Sequence, residues 1–125
     1  MPDAKKILVI DDDKTVHLIL KAAIEKEGPF KVYAALDAMQ GMMTAKQLKP
    51  DLIILDIMMP AGGGFAVYER LQMISATFEV PFLIYSSMPA HEIEKKIKPG
   101  LQVEIFSKTA RLEEIVAAVK RLTGS

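Results

Sequence analysis

The chain contains no cysteine, which removes disulfide scaffolds, thiolate metal sites and cysteine nucleophiles from consideration. It has no apolar run approaching the ~20 residues that span a bilayer. Its opening, MPDAKK, lacks the apolar core of a secretory signal, so a cytoplasmic location without membrane attachment is the expectation. An excess of either charge is also missing, with sixteen basic residues against sixteen acidic ones. That balance gives neither the electrostatic footprint of a nucleic-acid binder nor affinity for an anionic membrane surface. Repeats, low-complexity tracts and long linkers are absent. What is present is a chain of 125 residues, 50% hydrophobic and 26% charged, long enough for one soluble domain with its own core.

Apolar runs alternate with amphipathic stretches throughout. Strands are expected near residues 5–10, 31–35, 51–56, 80–86 and 102–107. Helical spacing links Val16, Ile19, Leu20, Ala23 and Ile24, and again Leu112, Ile115, Val116 and Val119. Residues 38–48, 64–74 and 90–98 read as further helices. Gly28 is placed to end the first helix, and Pro50 and Pro99-Gly100 punctuate later connections. Strands alternating with helices predict an α/β fold, a five-stranded parallel sheet with helices on both faces. Ile7–Ile10, Leu52–Leu55 and Phe82–Tyr85 are apolar throughout, as in strands covered on both sides. The second and fifth strands are more mixed and suit the edges. With right-handed crossovers this gives the order 2-1-3-4-5, flavodoxin-like and doubly wound.

The strand ends carry the chemistry. The first strand runs into Asp11 and Asp12, the third ends in Asp56, the fourth in Ser86, and the fifth runs into Lys108. In the predicted topology these face one crevice. Converging carboxylates require a cation, and oxygen donors without cysteine favour Mg²⁺. A phosphoryl group accounts for the remaining two residues: Lys108 meets its charge and Ser86 hydrogen-bonds one of its oxygens.

The stretches "ILVIDDD", "PDLIILDIMMP" continuing through Gly64-Phe65, "FLIYSS" and the late Lys108 together resemble the receiver domain of response regulators, the phosphoacceptor module of two-component signalling. The resemblance spans residues 5–122. It implies that Asp11 and Asp12 are the metal-binding acid pair and Asp56 the phosphorylated nucleophile. It further implies that the main-chain carbonyl of Met58 completes a magnesium site, with Ser86 and Lys108 acting on the phosphoryl group and Ser87 leaving room for it. The implied partners are a histidine kinase or histidine phosphotransfer protein and a downstream protein target. The implied switch is a surface of the fourth helix, fifth strand and fifth helix, on a monomer or a weak phosphorylation-dependent dimer. Three positions depart from the family pattern: Thr109 follows the lysine where proline is usual, Ile105 occupies the place of the switch aromatic, and Gly63 replaces a common aspartate. Phe106 is adjacent to Ile105, but strand alternation points it to the opposite face.

Other functions compete. "DDDKT" fits the opening of haloacid-dehalogenase-type phosphohydrolases, with Asp11 as nucleophile and Asp13 as general acid. That chemistry needs a further acidic pair after the lysine, where only Glu113 and Glu114 follow, and it leaves Asp56 without a purpose. A degenerate receiver acting only through contacts is the third possibility. A flavin phosphate would be repelled by the acids at the first strand's end. Residues 1–125 are expected to form a single receiver domain without an output domain, either a stand-alone regulator or a piece of a longer protein. Asp13 is assigned to the helix start. His17 and His91 lack metal-ligand spacing and read as solvated. The glycines at 62–64 lack the lysine of a phosphate loop. Met39, Met42, Met43, Met58 and Met59 read as core filler, and Lys95, Lys96 and Lys98 as a solvated basic face.

Overall fold

Unbroken apolar strands need an apolar layer on each side, and alternation along each strand shows how the two layers divide. A computed structural model describes residues 3–60 and 63–125. Along the chain run β1 (Lys5–Ile10), α1 (Lys14–Glu25), β2 (Phe30–Ala35), α2 (Ala38–Leu48), β3 (Leu52–Leu55), α3 (Gly63–Gln72), β4 (Phe82–Ser86), α4 (Ala90–Ile93), β5 (Val103–Ser107) and α5 (Leu112–Thr123). The strands form one sheet in the order β2-β1-β3-β4-β5, every pair parallel. β2 and β5 are the edges, as the mixed composition predicted.

Ile7, Val9, Leu52, Ile54, Leu83 and Tyr85 face a core closed by α1 and α5, where Leu20, Ile24, Ile115 and Val119 are fully buried. Leu8, Ile10, Ile53, Leu55, Phe82 and Ile84 face the other core, closed by Val67 and Leu71 of α3, Ala45 of α2 and Ile93 of α4. Each fully buried Leu or Ile contributes roughly 2 kcal/mol. Phe106 packs into the α1/α5 core and Ile105 into the opposite one, as strand alternation requires.

Helix ends are set by local hydrogen bonds. Asp13 caps α1 by accepting from the Thr15 N–H at 2.9 Å. Asp37 caps α2 by accepting from Gln40 N–H at 2.8 Å, while the Gln40 side chain accepts from Leu36 N–H at 2.7 Å, the reciprocal logic of a capping box. Two glycines are required by close approach. A Cβ on Gly41 would lie 2.8 Å from Ile10 side-chain carbons, and one on Gly64 would lie 2.3 Å from the Ile57 Cα. Gly64 thus seats the start of α3 on the backbone that follows Asp56.

Several boundaries differ from expectation. β4 starts at Phe82 because Pro81 has no N–H to donate and Val80 is turned back onto the Thr77 carbonyl at 3.1 Å. α3 stops at Gln72, where buried Thr77 takes the Leu71 carbonyl at 2.8 Å. α1 is capped at Lys26 rather than ended by Gly28, whose carbonyl accepts from Phe30 N–H at 2.8 Å in the turn into β2. The helix expected over 90–98 is confined to Ala90–Ile93. Beyond it the Lys96 N–H bonds three residues back to Ile93, and Pro99 disfavours helical geometry at Lys98. Met59 is buried, but Met39, Met43 and Met58 are exposed, so the methionines are not uniformly core filler.

Candidate functional site

Register brings the acids together. Ile10 of β1 pairs with Leu55 of β3, so the next residues, Asp11 and Asp56, emerge side by side on adjacent strands. The Asp56 N–H continues the ladder to the Ile10 carbonyl at 3.0 Å, and the Asp11 N–H to Ala35 at 3.1 Å. Parallel strands lie ~4.8 Å apart. One ligand oxygen from each of Asp11, Asp12 and Asp56 lies within 4.8 Å of the others. Asp11 is 2% exposed and Asp56 6%, whereas Asp12 is open to solvent. At that separation the two buried carboxylates repel by roughly 3.5 kcal/mol at an effective dielectric of ~20.

Lys108 answers part of that repulsion. On the next strand pair Ser86 is level with Ser107, and the Lys108 N–H bonds the Ser86 carbonyl at 3.0 Å. This anchors the lysine beside the acids, with Nζ 2.9 Å from Asp11 Oδ2 and 3.5 Å from Asp56 Oδ2. Burial raises the Asp11 carboxyl above its ordinary value, against the opposing pull of Lys108 and of the Asp13 N–H. Burial alone would lower the Lys108 ammonium, but the hydrogen bond and charge of Asp11, aided by Asp56, outweigh it and hold it above its ordinary value. The Thr109 that follows is held by its N–H to Ser107 Oγ at 3.1 Å.

Remaining side chains fill the rim. Asp56 Oδ1 accepts from the Met58 N–H at 2.9 Å, folding the chain so that the Met58 peptide passes close to the acids. Ser86 is fully buried, and its Oγ accepts from the Met88 N–H at 3.2 Å. Ser87 is exposed and bonds Met58 Sδ at 3.2 Å. Two neighbours were not legible from spacing. The Tyr85 ring lies 5.4 Å beneath the Lys108 ammonium, and the signal for it was an aromatic in an otherwise aliphatic strand end. His17, expected to be solvated, is 8% exposed, and its Nε2 sits 2.7 Å from the Asp11 carbonyl.

The donor set is three carboxylates with no sulfur or imidazole ligand among them. Such oxygens fit a hard divalent cation of the Mg²⁺ type. Asp13 caps α1 and is not among the three acids that converge.

Acids at the ends of β1 and β3, a hydroxyl at the end of β4 and a lysine after β5 define a two-component receiver, and a family model described as the response regulator receiver domain matches residues 7–120. The chain belongs to that family. It is 34% identical over 120 residues to the DNA-binding dual master transcriptional regulator RpaA of Synechocystis sp., covering 94% of this chain and 48% of RpaA. The chain therefore spans about half the length of that relative. The chemotaxis protein CheY4 of Vibrio cholerae shares the fold with a TM-score of 0.85 at 22% identity, covering 95% of this chain and 98% of that one. A response regulator from Thermotoga maritima does so with a TM-score of 0.82 at 21% identity, covering 98% and 99%.

Proposed function

We propose that Asp56 is the phosphoacceptor of this receiver, and that Asp11, Asp12, Asp56 and the Met58 carbonyl hold Mg²⁺. The observation that carries this reading is the meeting of Asp11, Asp12 and Asp56 within 4.8 Å, with one ammonium among the described residues, Lys108, against the two buried acids. Held by these residues, Mg²⁺ would supply positive charge to offset that of the carboxylates and of an incoming phosphoryl group.

The chain's own part is positioning and electrostatics. An Asp56 carboxylate oxygen attacks the phosphorus of a phosphohistidine on a histidine kinase or phosphotransfer protein. The new P–O bond forms as the P–N bond breaks, and the imidazole nitrogen keeps the electron pair. Lys108 moves its charge from Asp11 toward the phosphoryl oxygens. Ser86 releases the Met88 N–H and turns its hydroxyl to the phosphoryl group, and this unlocks the turn that leads into α4. The α4–β5–α5 surface is thereby biased between two states, with Ile105 in the place of a rotating aromatic. Water later hydrolyses the acyl phosphate, so the chain catalyses only its own phosphorylation and dephosphorylation. Output runs through contact with a downstream protein rather than nucleic acid, consistent with the balanced charge. No helix among the described residues is long and apolar enough to cross a membrane, and the cytoplasm is the proposed location.

Acetyl phosphate with Mg²⁺ tests the assignment by intact-protein mass spectrometry. The expected result is one added phosphoryl group, lost with EDTA and absent in Asp56→Asn. Equal uptake by the Asn chain would overturn it.

A further inference from the structure

We propose that His17 is a positioning residue that aims Asp12 at the metal through the Asp11–Asp12 peptide, an inference that rests on the metal-binding reading above. His17 occupies the first turn of α1 and is 8% exposed. Its Nε2 lies 2.7 Å from the main-chain oxygen of Asp11. A carbonyl can only accept, so Nε2 carries a hydrogen, and in the neutral ring Nδ1 is then a bare acceptor. Nδ1 is buried and has no hydrogen-bond partner among the described residues. Buried polar atoms in this state are uncommon and call for a physical reason. An aliphatic side chain in its place would avoid the bare Nδ1 but would take this donor away from the Asp11 carbonyl. What the ring gains is its grip on the Asp11 carbonyl.

That grip has a specific consequence. Asp11 itself is already fixed elsewhere: its N–H bonds Ala35, and its carboxylate accepts from the Asp13 N–H at 2.9 Å and from Lys108. The carbonyl held by His17 belongs to the peptide that joins Asp11 to Asp12. Peptide planarity ties the direction of that oxygen to the position of the Asp12 Cα. His17 therefore sets where the exposed Asp12 carboxylate leaves the backbone, while Asp11, Asp56 and Lys108 keep their own supports. Without the bond that peptide is held only by the Asp11–Asp13 turn that spans it, and Asp12 is less firmly preorganised beside Asp11 and Asp56.

The test has a part that needs no metal. In the metal-free wild-type chain, ¹⁵N NMR of the His17 ring is expected to show protonated Nε2 and bare Nδ1; the opposite tautomer overturns the proposal. Mg²⁺ affinity is then titrated calorimetrically in wild type, His17→Gln and His17→Phe. The glutamine amide reaches the same carbonyl, and its chain is expected to bind within a factor of about two of wild type. The phenylalanine ring fills the space without donating, and a loss of roughly tenfold is expected, the scale on which supporting residues tune metal sites. At saturating Mg²⁺ the Phe chain should take up phosphate near the wild-type rate. Should it lose its dispersed amide spectrum, His17→Asn replaces it, the shorter amide falling short of the carbonyl. Equal Mg²⁺ affinity in a folded Phe or Asn chain overturns the proposal. A wild-type chain that binds no Mg²⁺ overturns the metal site itself.

Discussion

Lys108 reaches Asp11 at 2.9 Å and Asp56 only at 3.5 Å, so the site's ammonium rests closer to a proposed metal ligand than to the proposed acceptor. In that position it neutralises the more deeply buried carboxylate. A phosphoryl group on Asp56 adds acceptor oxygens and charge on the other side, which draws the ammonium across a short distance. On the proposed mechanism the lysine is a movable counter-charge between the two acids.

Lys108→Met separates its two roles. Phosphorylation by acetyl phosphate is expected to slow by roughly a hundredfold, the scale of losing one oriented donor to developing charge. Mg²⁺ binding is expected to tighten, because a like charge beside the cation site has been removed. A mass-spectrometric time course and calorimetric titration read the two effects. Unchanged kinetics would exclude Lys108 from the transfer step.

Asp11 makes the metal-free fold pH-dependent. Burial lifts its folded pKa above the ordinary value of 3.8, so between those two values the folded state binds more protons than the unfolded state. Stability attributable to Asp11 therefore falls as pH rises through that window, and the deficit persists at neutral pH. In EDTA at pH 7, Asp11→Asn is expected to melt above wild type. The gap should shrink as pH is lowered toward the ordinary carboxylate range, because wild-type Asp11 then takes up its proton. Saturating Mg²⁺ should raise the wild-type midpoint and leave the Asn chain nearly unmoved. Melts of both chains across pH, with and without Mg²⁺, check each sign; a gap that widens on acidification would refute the argument.

Gly64 links packing to the site. An added Cβ would stand 2.3 Å from the Ile57 Cα and 2.5 Å from the Ile57 carbonyl oxygen, whereas one on Gly100 meets nothing within 4 Å. Gly64→Ala is expected to cost about 3 kcal/mol by forcing backbone apart. It should also weaken Mg²⁺ binding, since the displaced segment leads into Met58. Gly100→Ala should change neither. Urea unfolding and Mg²⁺ titration of both variants distinguish a local clash from a general cost of replacing glycine.

The legible part of this protein was whatever depends on period and position. Continuous burial of Ile7–Ile10 and Leu52–Leu55 required two covering layers, and the mixed β2 and β5 had to be edges. Once the order was known, parallel register alone brought Asp11, Asp56 and Lys108 together. Illegible were contacts decided by geometry across elements. His17 sits at a helical position whose spacing says nothing of the carbonyl at the preceding strand's end. Met39, Met43 and Met58 have core-like chemistry but project outward. The end of α3 depended on Thr77 reaching back to Leu71, a bond between residues that share no pattern. α4 gives way to a turn before Pro99, where the Ile93 carbonyl accepts from both the Lys96 and the Ile97 N–H, a boundary that apolar spacing does not record.

The two neighbouring acids Asp12 and Asp13 should fail in opposite ways. Asp13 accepts from the Thr15 N–H at 2.9 Å as the α1 cap, so Asp13→Ala is expected to lose about 1 kcal/mol of stability. It should keep Mg²⁺ affinity and phosphoryl uptake, because its carboxylate serves the helix. Asp12 is exposed and lies in the acid cluster. Asp12→Ala should therefore leave metal-free stability equal or slightly higher, through relief of like-charge repulsion, while weakening Mg²⁺ binding by roughly tenfold or more. Urea denaturation, Mg²⁺ titration and mass spectrometry after acetyl phosphate treatment complete the comparison. Were Asp13→Ala to abolish covalent uptake with stability intact, the acid would be acting on the reaction itself. The phosphohydrolase-like assignment of Asp11 and Asp13 would then displace the receiver mechanism at this site.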